Sequence, residues 1–448
     1  MGETRQLTNF VLDTGFRDFP KEVVERAKVC VLDYLASASY GSTKDWSQKI
    51  CHFVKQIGCE GKSTVIANQV KTSPQYAALA NGTMGHGFEL DDFHTIAFVH
   101  PGAVVIPAAL ATAEKERASG NEFLTAVILG YEVMVRLGLV MGIAHSVRGF
   151  HSTGTTGPFG SATAAGKILK LDKDQMLNAY GIAGSFSSGL KEFYLEGGTV
   201  KRLHAGKASE NGVTAALLAK EGFTGPSTVL EGKFGFCKVF SDDFNLGKLQ
   251  EGLKQDWQIM TMNVKPYPCC GGIHPAVNGL QDLKKKHAIS PNEVEKVVIE
   301  TCERIALQNA SPGTQSIMSA QYSIPFCASV TLLKDIEDPS VFNEAALHDG
   351  EILSLSKKIQ VIGTPEIPGM EQSRVTVKIK GGKEYKTEIN RPKGHPDNPL
   401  TSQEVVGKFK KLAIHVYPEK TIDKIIETVS ELEKAKDLSA LCDLLKKQ

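Results

Sequence analysis

The sequence has almost no excess charge of either sign. Its 448 residues carry 51 Lys+Arg against 50 Asp+Glu, a formal net charge of +1, with no long basic run. Non-specific nucleic-acid binding draws most of its affinity from phosphate contacts, so nucleic acid is not an expected partner. Paired cysteines are also missing. The nine cysteines run from Cys30 to Cys442 without a CxxC pair, which signals neither a zinc ribbon nor a thioredoxin-type redox site. Reduced thiols and a cytoplasmic setting are expected. No segment is expected to approach the ~20 apolar residues that a bilayer requires. The opening MGETRQLTNFVLDTGF holds no apolar stretch of signal-peptide length, so neither that secretion route nor a membrane is expected. Position 6 is Gln, not the Ser or Thr of a myristoylation motif. What remains is 42% hydrophobic and 23% charged, an ordinary globular composition long enough for two or three domains.

Helical periods dominate up to about residue 260. Leu7, Phe10, Val11 and then Val23, Val24, Ala27, Val31, Leu32, Leu35 recur at spacings of three and four, the signature of amphipathic helices. Further helices are expected over 74–83, 103–118, 121–142, 159–169, 173–187 and 208–220. Runs such as AALANGTMGHG and GSATAAGKIL offer small side chains that let helices approach closely. No strict repeat appears. Beyond 260 the pattern changes: VVIETC (297–302) is β-branched, and VTVKIKGGKEYKTEI alternates apolar and polar residues around Gly381-Gly382, a hairpin signal. The expected fold is mainly α with an α+β part: a helical domain over 1–263, completed by 396–448, and a smaller α+β domain over 264–395.

Four segments could carry chemistry. In GHGFELDDFH and the following HPGA, Glu89, Asp91, Asp92, His94 and His100 fall within twelve positions. The plain reading is a loop with a capping Asp and solvated charges. A metal site is the alternative, but the segment lacks HExxH or facial-triad spacing, so a metal is not expected. FHSTGTTGPFGS, ending before ATAAGKIL, resembles an anion-binding helix start with His151 beside it. It is not a Walker loop, because five residues separate Gly160 from Gly166 and Ile168 replaces the Ser/Thr. TVKRLHAGK clusters Lys201, Arg202, His204 and Lys207, where a solvated basic face is the bland explanation. VKPYPCCGGIH places Lys265 and Tyr267 around two backbone-fixing prolines, Pro266 and Pro268, at the composition boundary, and small-molecule sites favour domain interfaces.

These four segments, with AQYSIPFCASVTLL (320–333) and KGHPDNPLT (393–401), occur in the order found in the MmgE/PrpD family, which the chain resembles over nearly its whole length. That family includes 2-methylcitrate dehydratases, cis-aconitate decarboxylases and iminodisuccinate epimerases. The resemblance implies a large all-helical domain from both chain ends, a smaller α+β lid domain, a homodimer, and no metal or organic cofactor. Carried over from the decarboxylases, it places Glu89, Asp91 and Asp92 on an acidic DFDD motif. It assigns His100, His151, Lys201 and Lys265 to catalysis, and Glu89, Asp91 and Tyr322 to substrate binding. This chain departs from the pattern at Phe93, which replaces a Thr, and at Gly271, which replaces an Arg. HPGAV also stands where the methylcitrate dehydratases read HPSDN, which leans the resemblance toward the decarboxylase and epimerase branches.

Dehydration, decarboxylation and epimerisation of such acids share a carbanion next to a carboxylate. Lysines and backbone N–H groups stabilise the developing charge, and a histidine with an unperturbed pKa near 6.5 suits proton transfer at neutral pH. A lyase acting on a small di- or tricarboxylate is therefore expected. An epimerase of a dicarboxylate such as iminodisuccinate and a non-catalytic paralogue are the alternatives.

Overall fold

A computed structural model describes residues 2–447, which form two compact units. One contains the chain up to Asn263 and again from Thr401 onward; the other is Val264–Leu400. The fold is mainly α with an α+β part.

The first unit is built from helices packed through very small residues. Helices Pro74–Gly85, Gly102–Glu116 and Val200–Lys220 meet where Gly82 and Gly206 face each other. A Cβ on Gly82 would lie 2.9 Å from both Gly206 Cα and the Ala103 carbonyl oxygen. One on Gly206 would come within 2.3 Å of the Leu79 carbonyl oxygen. That neighbour is backbone, so the helices themselves would have to separate. Overpacking of this kind typically destabilises by about 1–3 kcal/mol, and Gly206→Ala is expected to lower the thermal midpoint markedly. Gly407→Ala is the control: its Cβ meets nothing within 4 Å, so a neutral or slightly stabilising change is expected. Equal melting of the two variants would refute this close-packing argument.

Helix Gly120–Val147 crosses the core, opened by Ser119 and Glu122, each of which bonds the other's backbone N–H. It corrects the expectation that no segment reaches membrane-spanning length, for by length and composition it does. Its most apolar window is 83% buried within the protein. Glu132 and Arg136 interrupt the run in the sequence, and folding pairs them at 2.6 Å with both side chains buried. Arg136 donates to the Glu251 carbonyl at 2.5 Å, and Glu132 accepts from the Gln258 N–H at 2.8 Å.

Two helices begin earlier than the periodicity suggests. Ser152–Ile168 already includes the Gly/Ser/Thr run, with Pro158 inside it, and Val200–Lys220 takes in Lys201, Arg202 and His204. Lys201 and Arg202 are buried, so this is not a solvated basic face. Helix Ser402–Ala413 packs on helix Lys21–Ser42, where Lys408 Nζ reaches Asp33 at 2.5 Å and the Leu90 carbonyl at 2.6 Å. The returning chain therefore braces the segment just before Asp91.

The second unit holds a four-stranded sheet ordered Ile359–Gly363, Val294–Thr301, Ser373–Ile379, Glu384–Ile389. The first pair is parallel and the others antiparallel. The hairpin turns at Gly381-Gly382, both at positive φ, and helix His274–His287 packs against its two strands. Strand Ile359–Gly363 was not apparent from the sequence pattern.

Candidate active site

The candidate site lies at the ends of the glycine-packed helices of the first unit. His86 is the first residue beyond helix Pro74–Gly85, and His100 stands two before helix Gly102–Glu116. His151 immediately precedes helix Ser152–Ile168, while Lys201 and His204 occupy the opening turns of Val200–Lys220. Close helix packing thus draws chain segments far apart in sequence into one cluster.

The connection from His86 to Pro101 is largely buried and internally tied. Phe93 and Asn263 exchange backbone hydrogen bonds at 3.0 and 2.9 Å, and the His94 N–H donates to the Val99 carbonyl at 2.9 Å. His94 Nδ1 accepts from the Ala97 N–H at 3.0 Å, so this ring closes a turn. Asp92 fastens the helix that follows His100, accepting from the Gly102 N–H at 2.9 Å and the Tyr131 hydroxyl at 2.7 Å. Burial and then the nearby Asp33 push the Asp92 carboxyl up to about 7.

Asp91 faces two imidazoles with one oxygen. His86 Nδ1 lies 2.6 Å from Oδ2, and His100 Nδ1 stands 3.0 Å from that atom, at ion-pair distance but without hydrogen-bond alignment. Burial opposes the Asp91 charge, but the two imidazoles outweigh it and hold the carboxyl well below its ordinary range. With Asp91 ionised, Nδ1 of His86 carries the hydrogen it donates, leaving Nε2 as an acceptor with no hydrogen-bond partner. The cluster continues as a row of rings. The centroid separations are 4.6 Å from His100 to His86, 5.8 Å from His86 to His151 and 5.2 Å from His151 to His204. His151 Nδ1 and His204 Nδ1 lie 3.1 Å apart, so one of them donates and the other accepts. Burial first, and then neighbouring imidazoles and Lys201, depress the pKa of His151 well below its usual value.

Lys201 forms a buried ion pair with Glu89, whose backbone adopts φ +56, a left-handed conformation uncommon outside Gly, Asn and Asp. Phe93 brings its ring to 6.2 Å from that of His100. Of the residues singled out in the sequence, Glu89, Asp91, His100, His151 and Lys201 therefore come together in one unit. Lys265 and Tyr322 belong to the other. There, the Cys270 N–H donates to the Gln321 carbonyl at 2.9 Å and Gln321 Nε2 to the Pro268 carbonyl at 2.9 Å. These bonds tie the stretch after Lys265 to the turn before Tyr322. Cys269 is buried, which raises its thiol well above the usual range and makes it a poor nucleophile.

His86 and His204 are site members to which the sequence reading assigns no role. Both sit inside segments it had quoted, but nothing in linear spacing indicates that His86 shares a carboxylate with His100. His86 and His94 are each lowered to about 4 by burial, so their ring signals are expected to titrate near pH 4 by NMR. Unfolded histidines titrate near 6.5, so the unfolded chain binds protons first. The stability these two rings contribute is present above about pH 6.5 and is lost as pH falls toward 4. Midpoints near 6.5 in the folded protein would contradict it.

Comparison with known proteins matches both parts of the chain. The MmgE/PrpD N-terminal domain matches residues 5–248 and the MmgE/PrpD C-terminal domain residues 267–434. The cis-aconitate decarboxylase-like protein oryM of Aspergillus oryzae is 29% identical over 99% of this chain and 97% of its own. The cis-aconitate decarboxylase of Aspergillus terreus is 27% identical over 99% and 96%. That of Homo sapiens is 27% identical over 95% and 90%. With both domains matched and the acid, lysine and histidine segments gathered at its helix ends, this chain belongs to the MmgE/PrpD family.

Proposed function

We propose that the protein is an MmgE/PrpD-type lyase that decarboxylates a small tricarboxylate of the cis-aconitate kind through a carbanion next to a carboxylate. The observation that carries this reading is the buried Asp91 carboxylate beside His100, standing in one cluster with His86, His151 and the Lys201–Glu89 ion pair. The relatives named as cis-aconitate decarboxylases support the choice of reaction.

In this reading Lys201 attracts a substrate carboxylate, partly drawn from Glu89. The carbon–carbon bond to the departing carboxylate breaks, CO2 leaves, and the electron pair spreads onto the conjugated carbon and oxygen atoms that remain. Charge placed in advance where negative charge develops is the largest aid available to such a step. His100, backed by Asp91, delivers a proton to carbon, so the electron pair ends in a new C–H bond. The family resemblance also gives Lys265 a catalytic and Tyr322 a substrate-binding role; both belong to the second unit.

The test is a panel of cis-aconitate, citrate, methylcitrate and iminodisuccinate incubated in deuterated water and followed by mass spectrometry. A decarboxylase forms a lighter product from cis-aconitate carrying one deuterium at carbon. Water loss from methylcitrate would move the assignment to dehydration, and labelling of the iminodisuccinate pool without product would make the protein an epimerase. No turnover of any member would sink the reading. Activity is expected to survive chelation, because each step is assigned to a side chain.

A further inference from the structure

We propose that His86, Asp91 and His100 form a binding site for a first-row divalent transition metal, Zn2+ foremost, whose occupation shuts off turnover. This goes beyond the lyase reading, since it concerns a ligand that would compete with proton transfer at the same groups. One ligand atom from each of the three residues lies within 4.8 Å of the others. Two imidazoles and one carboxylate make a donor set that suits zinc and its neighbours while leaving coordination positions open. The chain supplies them from positions 86, 91 and 100, a spacing with no metal-site signature in the linear text.

Two features point to a ligand beyond the cluster's own contacts. Asp91 Oδ1 is buried and accepts no hydrogen bond, so the carboxylate has a second oxygen free to join a metal. His86 Nε2 is likewise buried without a hydrogen-bond partner. A resident metal site normally secures the second ring nitrogen of a ligand histidine through an outer hydrogen bond. Its lack at His86 predicts an exchangeable metal rather than a permanent one. Access is available at His100, whose side chain is 16% exposed while those of His86 and Asp91 are buried.

The contacts to Asp91 at 2.6 and 3.0 Å must open slightly to admit a metal with bonds of about 2.0–2.2 Å. Binding then replaces the His86–Asp91 hydrogen bond and separates Asp91 from His100. A histidine that has lost its carboxylate to a metal no longer shuttles a proton in the orientation the site provides, so the expected consequence is inhibition.

The test uses the full chain, stripped by chelation, titrated with Zn2+ by calorimetry and with Co2+ by visible absorption. One equivalent is expected to bind, with Co2+ ligand-field bands and no thiolate charge-transfer band. His86→Gln and Asp91→Asn should each weaken binding at least about tenfold. His100→Gln serves the same purpose if the buried substitutions prevent folding. The absence of saturable binding up to about 1 mM, affinities unchanged in all three variants, or a thiolate band placing the metal on the free cysteines would each overturn the proposal. None of these outcomes depends on turnover, so the metal site can fail while the lyase reading stands, or stand while that reading fails.

Discussion

Replacing His100 with Gln is expected to lower turnover by about 10²–10⁴-fold, the usual span for loss of a general acid or base, with a much smaller change in substrate affinity. Glutamine keeps a polar side chain of similar reach, so the contact with Asp91 can persist while the transferable proton is gone. His151→Gln is expected to fall in the same range if that ring also handles a proton. It is the more buried of the two, and its partner His204 would be left to hydrogen-bond a neutral amide. Asp91→Asn should act through His100, reducing kcat with little change in KM and altering the pH profile, because an amide cannot offer a carboxylate to Nδ1. Single-turnover rates together with calorimetric binding on the inactive variants separate these effects. Near-normal turnover in both His variants, with the fold intact, would remove them from the chemistry.

The second large effect is expected at Lys201. It and Glu89 are buried together as an ion pair, and removing one member of such a pair leaves a buried charge uncompensated, a loss of about 3–5 kcal/mol. Lys201→Ala should therefore lower the thermal midpoint substantially and also depress turnover by about 10²–10³-fold, in line with the removal of one oxyanion-stabilising group. The double variant Lys201→Met with Glu89→Gln separates the two roles. With both charges gone, much of the stability should return, because neutral packing often replaces a buried pair at little cost. Turnover should not return. Recovery of activity in the double variant would show that Lys201 served only to neutralise Glu89.

Local physics accounts for what the sequence alone determined. The Gly381-Gly382 hairpin is written there because only residues tolerant of positive φ fit its turn. The helix after Thr401 opens by equally local chemistry, since Thr401 and Glu404 each bond the other's backbone N–H. The division into a helical part and an α+β part follows from hydrophobic periodicity changing from near 3.6 to 2. The acidic and histidine-bearing segments also stand out, because such groups are seldom concentrated without reason.

Only the tertiary structure decided the rest. Helix Val200–Lys220 starts early enough to carry Lys201 and His204 because burial against neighbouring helices outweighs the polar look of its first turns. Helix Gly120–Val147 runs on past Glu132 and Arg136 because the two neutralise each other inside the core, and it kinks only at Gly142, whose φ is +58. Asp92, outwardly the twin of Asp91, is taken up by Gly102 and Tyr131 and holds a helix in place. The meeting of His86, Asp91, His100, His151 and His204 depends on how closely helices pack across Gly82 and Gly206. Periodicity records which face of a helix is apolar; it carries no information on which distant segment that face will meet, and the candidate site consists of such meetings.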